Sequence, residues 1–99
     1  MSVELSDGTK QRLERLFFGP DRQAVAGLLV QECGSNLPSC EAATSDSLER
    51  IRFAVLKLSD GDTARLLDAI RLAQTDWRDL LVAAGFAEDV RTHSEWWPR

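Results

Sequence analysis

The sequence is poor in the residues that most active and metal sites are built from. There is one histidine, His93, and there are two cysteines, Cys33 and Cys40, with six residues between them. That spacing is neither a Cys-x-x-Cys redox pair nor half of a structural zinc site, which needs four ligands. Reduced structural thiols are favoured over a disulfide, and both over a metal. No apolar run approaches the roughly 20 residues of a membrane-spanning helix. The opening MSVELSDGTK has neither a basic n-region nor an apolar core, so it does not read as a secretory signal. The expected location is cytoplasmic, with no membrane partner.

A basic excess is missing as well. Lys and Arg number 12 against 16 Asp and Glu, a formal net charge of −4, with the two signs interspersed. A nucleic-acid-binding domain shows a basic face, and none is visible. A helix-turn-helix centred near residue 75 would present Arg78 flanked by Asp76 and Asp79, which phosphates repel. No glycine-rich phosphate loop is present. No cofactor and no nucleic-acid partner are therefore expected.

What remains is ordinary globular material, 43% apolar and 28% charged. Ninety-nine residues make one domain, 1–99, able to bury a modest core. Its pattern reads as an all-α bundle of five to six short helices. In LSDGTKQRLERLFFG, Ser6 or Asp7 caps a helix carrying Leu13, Leu16 and Phe17, and Gly19-Pro20 stops it. Pro20 then suits the first turn of PDRQAVAGLLVQEC, with Val25, Leu28, Leu29 and Cys33 as its stripe and Gly34 as its stop. Gly27 inside it costs about 1 kcal/mol against alanine, which a close helix–helix approach would offset. SNLPSCEAATSD reads as a loop.

SDSLERIRFAVLKLS, capped by Ser45 or Asp46, is apolar over much of its circumference and should be central. SDGDTARLLDAIRLAQ follows with Ser59 or Asp60 as cap and Leu66, Leu67, Ile70 and Ala73 facing inward. Residues 62–84 contain no Gly or Pro, so one long helix is open; a break at Thr75-Asp76 is favoured because both are poor helix-interior residues and good caps. Gly85 ends the helix with Phe86 folding back onto Leu81, and AEDVRTHSEW forms a last short helix with Glu88 and Asp89 at its positive end.

LSDGTKQRL (5–13) and LSDGDTARL (58–66) match at six of nine positions. The flanks do not continue the match, so both read as helix starts with shared cap chemistry rather than a duplication. SDGDT falls short of the ligand spread of a calcium loop. DWRDLLVAAGFAEDV locally resembles a death-fold helix and the turn after it, with Trp, a Leu pair and Gly at similar spacing; the likeness covers these fifteen residues and carries no function with it.

The candidate site residues are aromatic. Trp77 falls in register with Leu80, Leu81 and Ala84 and should be core. Trp96 and Trp97 are adjacent, and so are Phe17 and Phe18, so one of each pair should be exposed. His93, four residues before Trp97, should be half-exposed and stacked on it. Trp96, Trp97, Phe18 and His93 are thus the candidates for partner binding. The function expected is a non-enzymatic protein-interaction or regulatory domain, by self-association or through another protein. The alternatives are a small-molecule-binding or enzymatic domain with a pocket near His93, Arg91 or Asp89, and an acidic inhibitor of a basic partner such as a nuclease or toxin.

Overall fold

The computed structural model describes residues 5–33, 45–88 and 91–98, with residues 45–48 described by their backbone. Five helices account for most of them: α1 (Asp7–Leu16), α2 (Pro20–Glu32), α3 (Ser45–Ser59), α4 (Thr63–Ala84) and α5 (Thr92–Glu95). There is no strand among the described residues. None of the helices is long and apolar enough to cross a membrane. The expected loop at 35–46 and its Cys40, and the expected stop at Gly34, lie mostly or wholly outside the described residues.

Ser6 caps α1, its Oγ accepting the Thr9 amide at 3.2 Å. Phe17 then turns extended, and Pro20 takes the first position of α2, where its missing amide costs nothing. In α3 every residue from Ile51 to Leu56 is buried, including Arg52, which makes it the central helix. α4 packs along it, and α1, α2 and α5 close the remaining sides. The core joins Leu13 and Phe17 of α1, Val25 and Leu29 of α2, and Leu66, Ile70, Leu80 and Leu81 of α4 to that central run.

The break expected near residue 75 is present. Asp76 leaves helical geometry (φ −156°, ψ 96°), and its Oδ1 accepts the Arg78 amide at 3.0 Å, restarting the helix as a cap would. The closure at Gly85 also stands. Gly85 is left-handed (φ 80°), the Phe86 amide donates to Leu81 O at 2.8 Å, and the Gly85 amide donates to Val82 O at 3.1 Å. This double bond satisfies two orphan carbonyls and drives Phe86 into the core.

Several expectations are corrected. α4 is capped by Asp62, whose Oδ1 accepts the Ala64 amide at 2.8 Å, rather than by Ser59 or Asp60, because α3 runs through Ser59. α3 itself begins at Ser45, so Ser45 and Asp46 lie within its first turn rather than ahead of it. Gly27 makes no close approach, since a Cβ there would meet nothing within 4 Å. Leu67 is 44% exposed instead of facing inward. Trp77 is half-buried against the edge of the core, with Arg78 over its ring. The last helix is the single turn Thr92–Glu95, and Glu88 precedes it in a bend.

One device recurs at the helix ends. The final carbonyls of a helix lack intrahelical donors and carry the negative end of the dipole. Arg22 donates to Glu14 O and Phe17 O at the end of α1, and Arg52 to Cys33 O after α2. Lys57 donates to Ala84 O and Arg50 to Phe86 O after α4, and Arg12 donates to Ser94 O and Trp96 O at α5. These five cations, of twelve in the chain, donate to backbone carbonyls at or just past helix ends.

Candidate functional site

The C-terminal residues 91–98 lie across α1 and α3 and join them in a shared polar and aromatic network. After the single turn of α5, Trp96 becomes extended (φ −77°, ψ 135°). In extended backbone adjacent side chains point to opposite sides, so Trp96 and Trp97 diverge. Trp96 turns in, its ring 6.2 Å from Phe53 and 6.3 Å from Phe86. His93 meets the same two rings edge-on, at 5.2 Å and 6.3 Å. Phe53 comes from the central helix and Phe86 from the Gly85 closure, so the two most secure local structures build this aromatic floor.

Arg12 fastens the tail to it. The residue is 4% exposed, and its guanidinium donates to Gly8 O at 3.1 Å, Ser94 O at 3.0 Å and Trp96 O at 2.9 Å. Its faces are covered as well, by Phe53 at 4.1 Å and Trp97 at 3.7 Å from the ring centroids. Burial pulls the guanidinium below arginine's ordinary value; the Glu49 carboxylate works in the opposite direction, and Arg15 adds to the lowering. The charge remains because arginine does not deprotonate in proteins. Hydrogen bonds from a charged donor are each worth about 1.5–3 kcal/mol, so Arg12 is the principal tie between the tail and α1.

Glu49 of α3 joins the third corner. Ser6 Oγ donates to its Oε1 at 2.9 Å, and His93 Nε2 lies 3.9 Å from its Oε2. Because the Ser6 proton goes to Glu49, the Thr9 hydroxyl is the donor in the 2.8 Å contact between the two hydroxyls. Serine, carboxylate and histidine are thus together, but in the wrong order for nucleophilic catalysis. An activated serine needs the imidazole beside it and the carboxylate behind the imidazole. Here the carboxylate stands in the middle, so His93 takes no proton from Ser6. His93 is also only 6% exposed.

The other nucleophile is no better placed. Cys33 is a free thiol, fully buried at the end of α2, and burial pushes it up to about 12, beyond what the nearby Arg52 offsets. A thiol held neutral is a poor nucleophile. Among the described residues no group of three His, Cys, Asp or Glu side chains is placed to hold a metal ion.

Outside this network lies an open groove of about 410 Å³ along the outer side of α1, lined by Gln11, Glu14, Arg15 and Trp97. Trp97 is 42% exposed, held on one side by Arg12 and flanked by the Arg15 guanidinium at 4.8 Å. At the far end of α1, Phe18 is 70% exposed, while its neighbour Phe17 is in the core.

Of the four sequence candidates, the structure brings His93 and Trp96 together on Phe53 and Phe86, and Trp97 joins them through Arg12. Phe18 sits apart from this cluster. His93 is buried rather than half-exposed, and it stacks on phenylalanines rather than on Trp97, because the chain leaves the helix after Glu95. Sequence reasoning passed over Ser6 as a tertiary contact, over Arg12 altogether, and over Glu49 except as an approximate capping-box partner of Ser45. Arg12 had a signal: it falls on the side of α1 that Thr9, Leu13 and Leu16 define, where a charge has to find buried partners. Compared with known proteins, the chain matches no family model, no curated protein and no solved structure.

Proposed function

We propose that this chain is a non-enzymatic protein-interaction domain whose contact surface is the outer side of α1 with Trp97 and Phe18. The observation that carries the reading is the division within each aromatic pair: Phe17 and Trp96 pack inward, while Phe18 and Trp97 stand 70% and 42% exposed, the first just past the end of α1 and the second over its Arg12 and Arg15. Trp97 is not loose, since Arg12 and Arg15 hold its ring in place. A fixed aromatic beside an arginine is the composition of interface hot spots, because it buries a large area at little cost in rotamer freedom. The reading includes a cytoplasmic location, which the free thiol of Cys33 supports.

Photo-crosslinking in the source cells tests it. A benzoylphenylalanine at position 18 or 97 should give discrete higher-mass adducts, and one at the exposed Asp68 of α4 should not. Absence of adducts from both positions would defeat the proposal.

A further inference from the structure

We infer that the partner on this surface is a second copy of the chain, with the two α1 helices packed antiparallel about a two-fold axis between Glu14 and Arg15. The inference rests on the reading of the α1 face as an interaction surface and names its occupant. A two-fold interface places the same patch on both subunits, so the patch must complement itself. Gln11, Glu14 and Arg15 are exposed and follow the i, i+3, i+4 spacing of one helical face, and Trp97 lines the groove beside them. Phe18 is also exposed and follows the extended Phe17 just past the helix end. In an antiparallel pairing centred between residues 14 and 15, position 14 meets position 15 of the other copy, and Gln11 of each copy comes to the C-terminal end of the other's α1. Glu14 of each copy then faces Arg15 of the other, giving two ion pairs. The same pairing carries the segment with Phe18 toward the Gln11 end of the other copy's groove. One axis therefore pairs both charges and brings the two exposed aromatic regions together.

The remaining exposed large apolar residues among the described ones do not offer an equivalent. Leu67 and Val82 are 44% and 66% exposed on α4. They are fifteen residues apart, roughly 22 Å along a helix, and the Asp76 break lies between them. The α1 face from Gln11 to the helix end at Leu16 spans roughly 8 Å. A patch of that length makes a small interface, so the association is weak, with a Kd in the micromolar range or above.

The test is sedimentation equilibrium of the 99-residue chain from about 10 μM to about 1 mM, a range that covers interfaces of this size. The wild type should form a concentration-dependent dimer. Glu14→Arg alone sets like charges against each other twice per dimer and should raise Kd at least ~10-fold, as should Arg15→Glu. The double exchange E14R/R15E restores opposite charges across the axis and should recover most of the affinity. Phe18→Ser should weaken the dimer by a similar factor. Glu14 and Phe18 are exposed, and Trp97 keeps its seat on Arg12, so unchanged circular dichroism melting is expected in Glu14→Arg and Phe18→Ser, while the Arg15 variants, which also lose the guanidinium flanking Trp97, should melt slightly lower. A strict monomer at every concentration overturns the inference, and so does a dimer indifferent to the single reversals. Crosslinks from position 18 to a different protein, with a strict monomer in sedimentation, would overturn the second copy as occupant and leave the interaction surface standing.

Discussion

The chain contains Leu-Ser-Asp-Gly twice, at residues 5–8 and 58–61, and folds it in two ways. In the first copy Ser6 is extended (φ −68°, ψ 160°) and caps a helix that begins at Asp7. In the second, Ser59 is still the last residue of α3, and Asp60 and Gly61 take φ of 48° and 80° to turn the chain into α4. The two serine hydroxyls are engaged differently. Ser6 Oγ accepts the Thr9 amide ahead of its helix and donates across to Glu49, while Ser59 Oγ donates back to Leu56 O at 2.6 Å and accepts the Gly61 amide of the turn at 3.4 Å. Capping of the following helix passes to Asp62. The difference lies in what comes before. The second copy is reached by a helix already running, and the chain must reverse at once to lay α4 along α3. Residues that favour caps and turns permit both outcomes, and the tertiary demand selects one.

The copies should respond differently to the same substitutions. The largest effect is expected at Gly61. A side chain there meets a left-handed backbone, and its Cβ would stand 3.2 Å from Leu16 O, a backbone atom that cannot step aside. Gly61→Ala should cost about 2 kcal/mol, read as a lower urea midpoint with an unchanged slope. Next is Ser6→Ala. It removes a cap and a hydrogen bond to the Glu49 carboxylate together, and should cost about 1.5 kcal/mol. Ser59→Ala, which removes a bond to the Leu56 carbonyl and a long one from the Gly61 amide, neither to a charged group, should cost less than Ser6→Ala. Equal losses would mean that Glu49 contributes nothing at Ser6.

Gly8 gives a sharper contrast because its sign can be reversed. A helical glycine replaced by alanine normally gains about 1 kcal/mol. At Gly8 the new Cβ would lie 2.9 Å from Glu49 Oε1, 3.2 Å from Phe53 Cζ and 3.3 Å from an Arg12 nitrogen. Glu49 is not free to swing away, since Ser6 and His93 both engage it. Gly8→Ala should therefore destabilise by about 1 kcal/mol, the crowding outweighing the helical gain. In a Glu49→Ala background the closest of the three obstructions is gone, and the same change should cost less or become neutral. A double-mutant cycle reads the coupling directly; additivity would show that Glu49 is not what excludes a side chain at position 8.

The same distinction explains what could be read from the sequence. The helix order, the break at Asp76 and the Gly85–Phe86 closure were legible because each is decided within a few residues. Asp76 caps Arg78, and Phe86 bonds Leu81. The exposed members of the Phe17–Phe18 and Trp96–Trp97 pairs were legible only as a count, one of each, since adjacency forbids equal burial and does not say which residue loses. Arg12 was legible only in part. Its place on the apolar side of α1 marks an arginine that needs buried partners, but those partners, Ser94 and Trp96, lie more than eighty residues away and nothing local names them. His93 was misplaced for a related reason. Its assumed neighbour Trp97 follows from helical spacing, and the helix stops after Glu95.

The smallest effect is the one that separates the two copies most directly. Asp7 and Asp60 are the third residue of the same tetrapeptide, and Asp→Gly should move stability in opposite directions. Asp7 lies in the first turn of α1, where a carboxylate favours the positive helix end and glycine is a poor helix former. Losing both advantages should cost about 1 kcal/mol. Asp60 holds a φ of 48°, which an L-residue adopts at a penalty that aspartate lessens and glycine escapes. Against this, glycine loses more backbone entropy on folding, about 0.5–1 kcal/mol. The two terms nearly cancel, leaving a gain of a few tenths of a kcal/mol. Measured side by side by urea unfolding, Asp7→Gly should lower the midpoint and Asp60→Gly should hold or raise it. A loss at Asp60 matching that at Asp7 would mean that the aspartate side chain stabilises the α3–α4 turn beyond its backbone conformation.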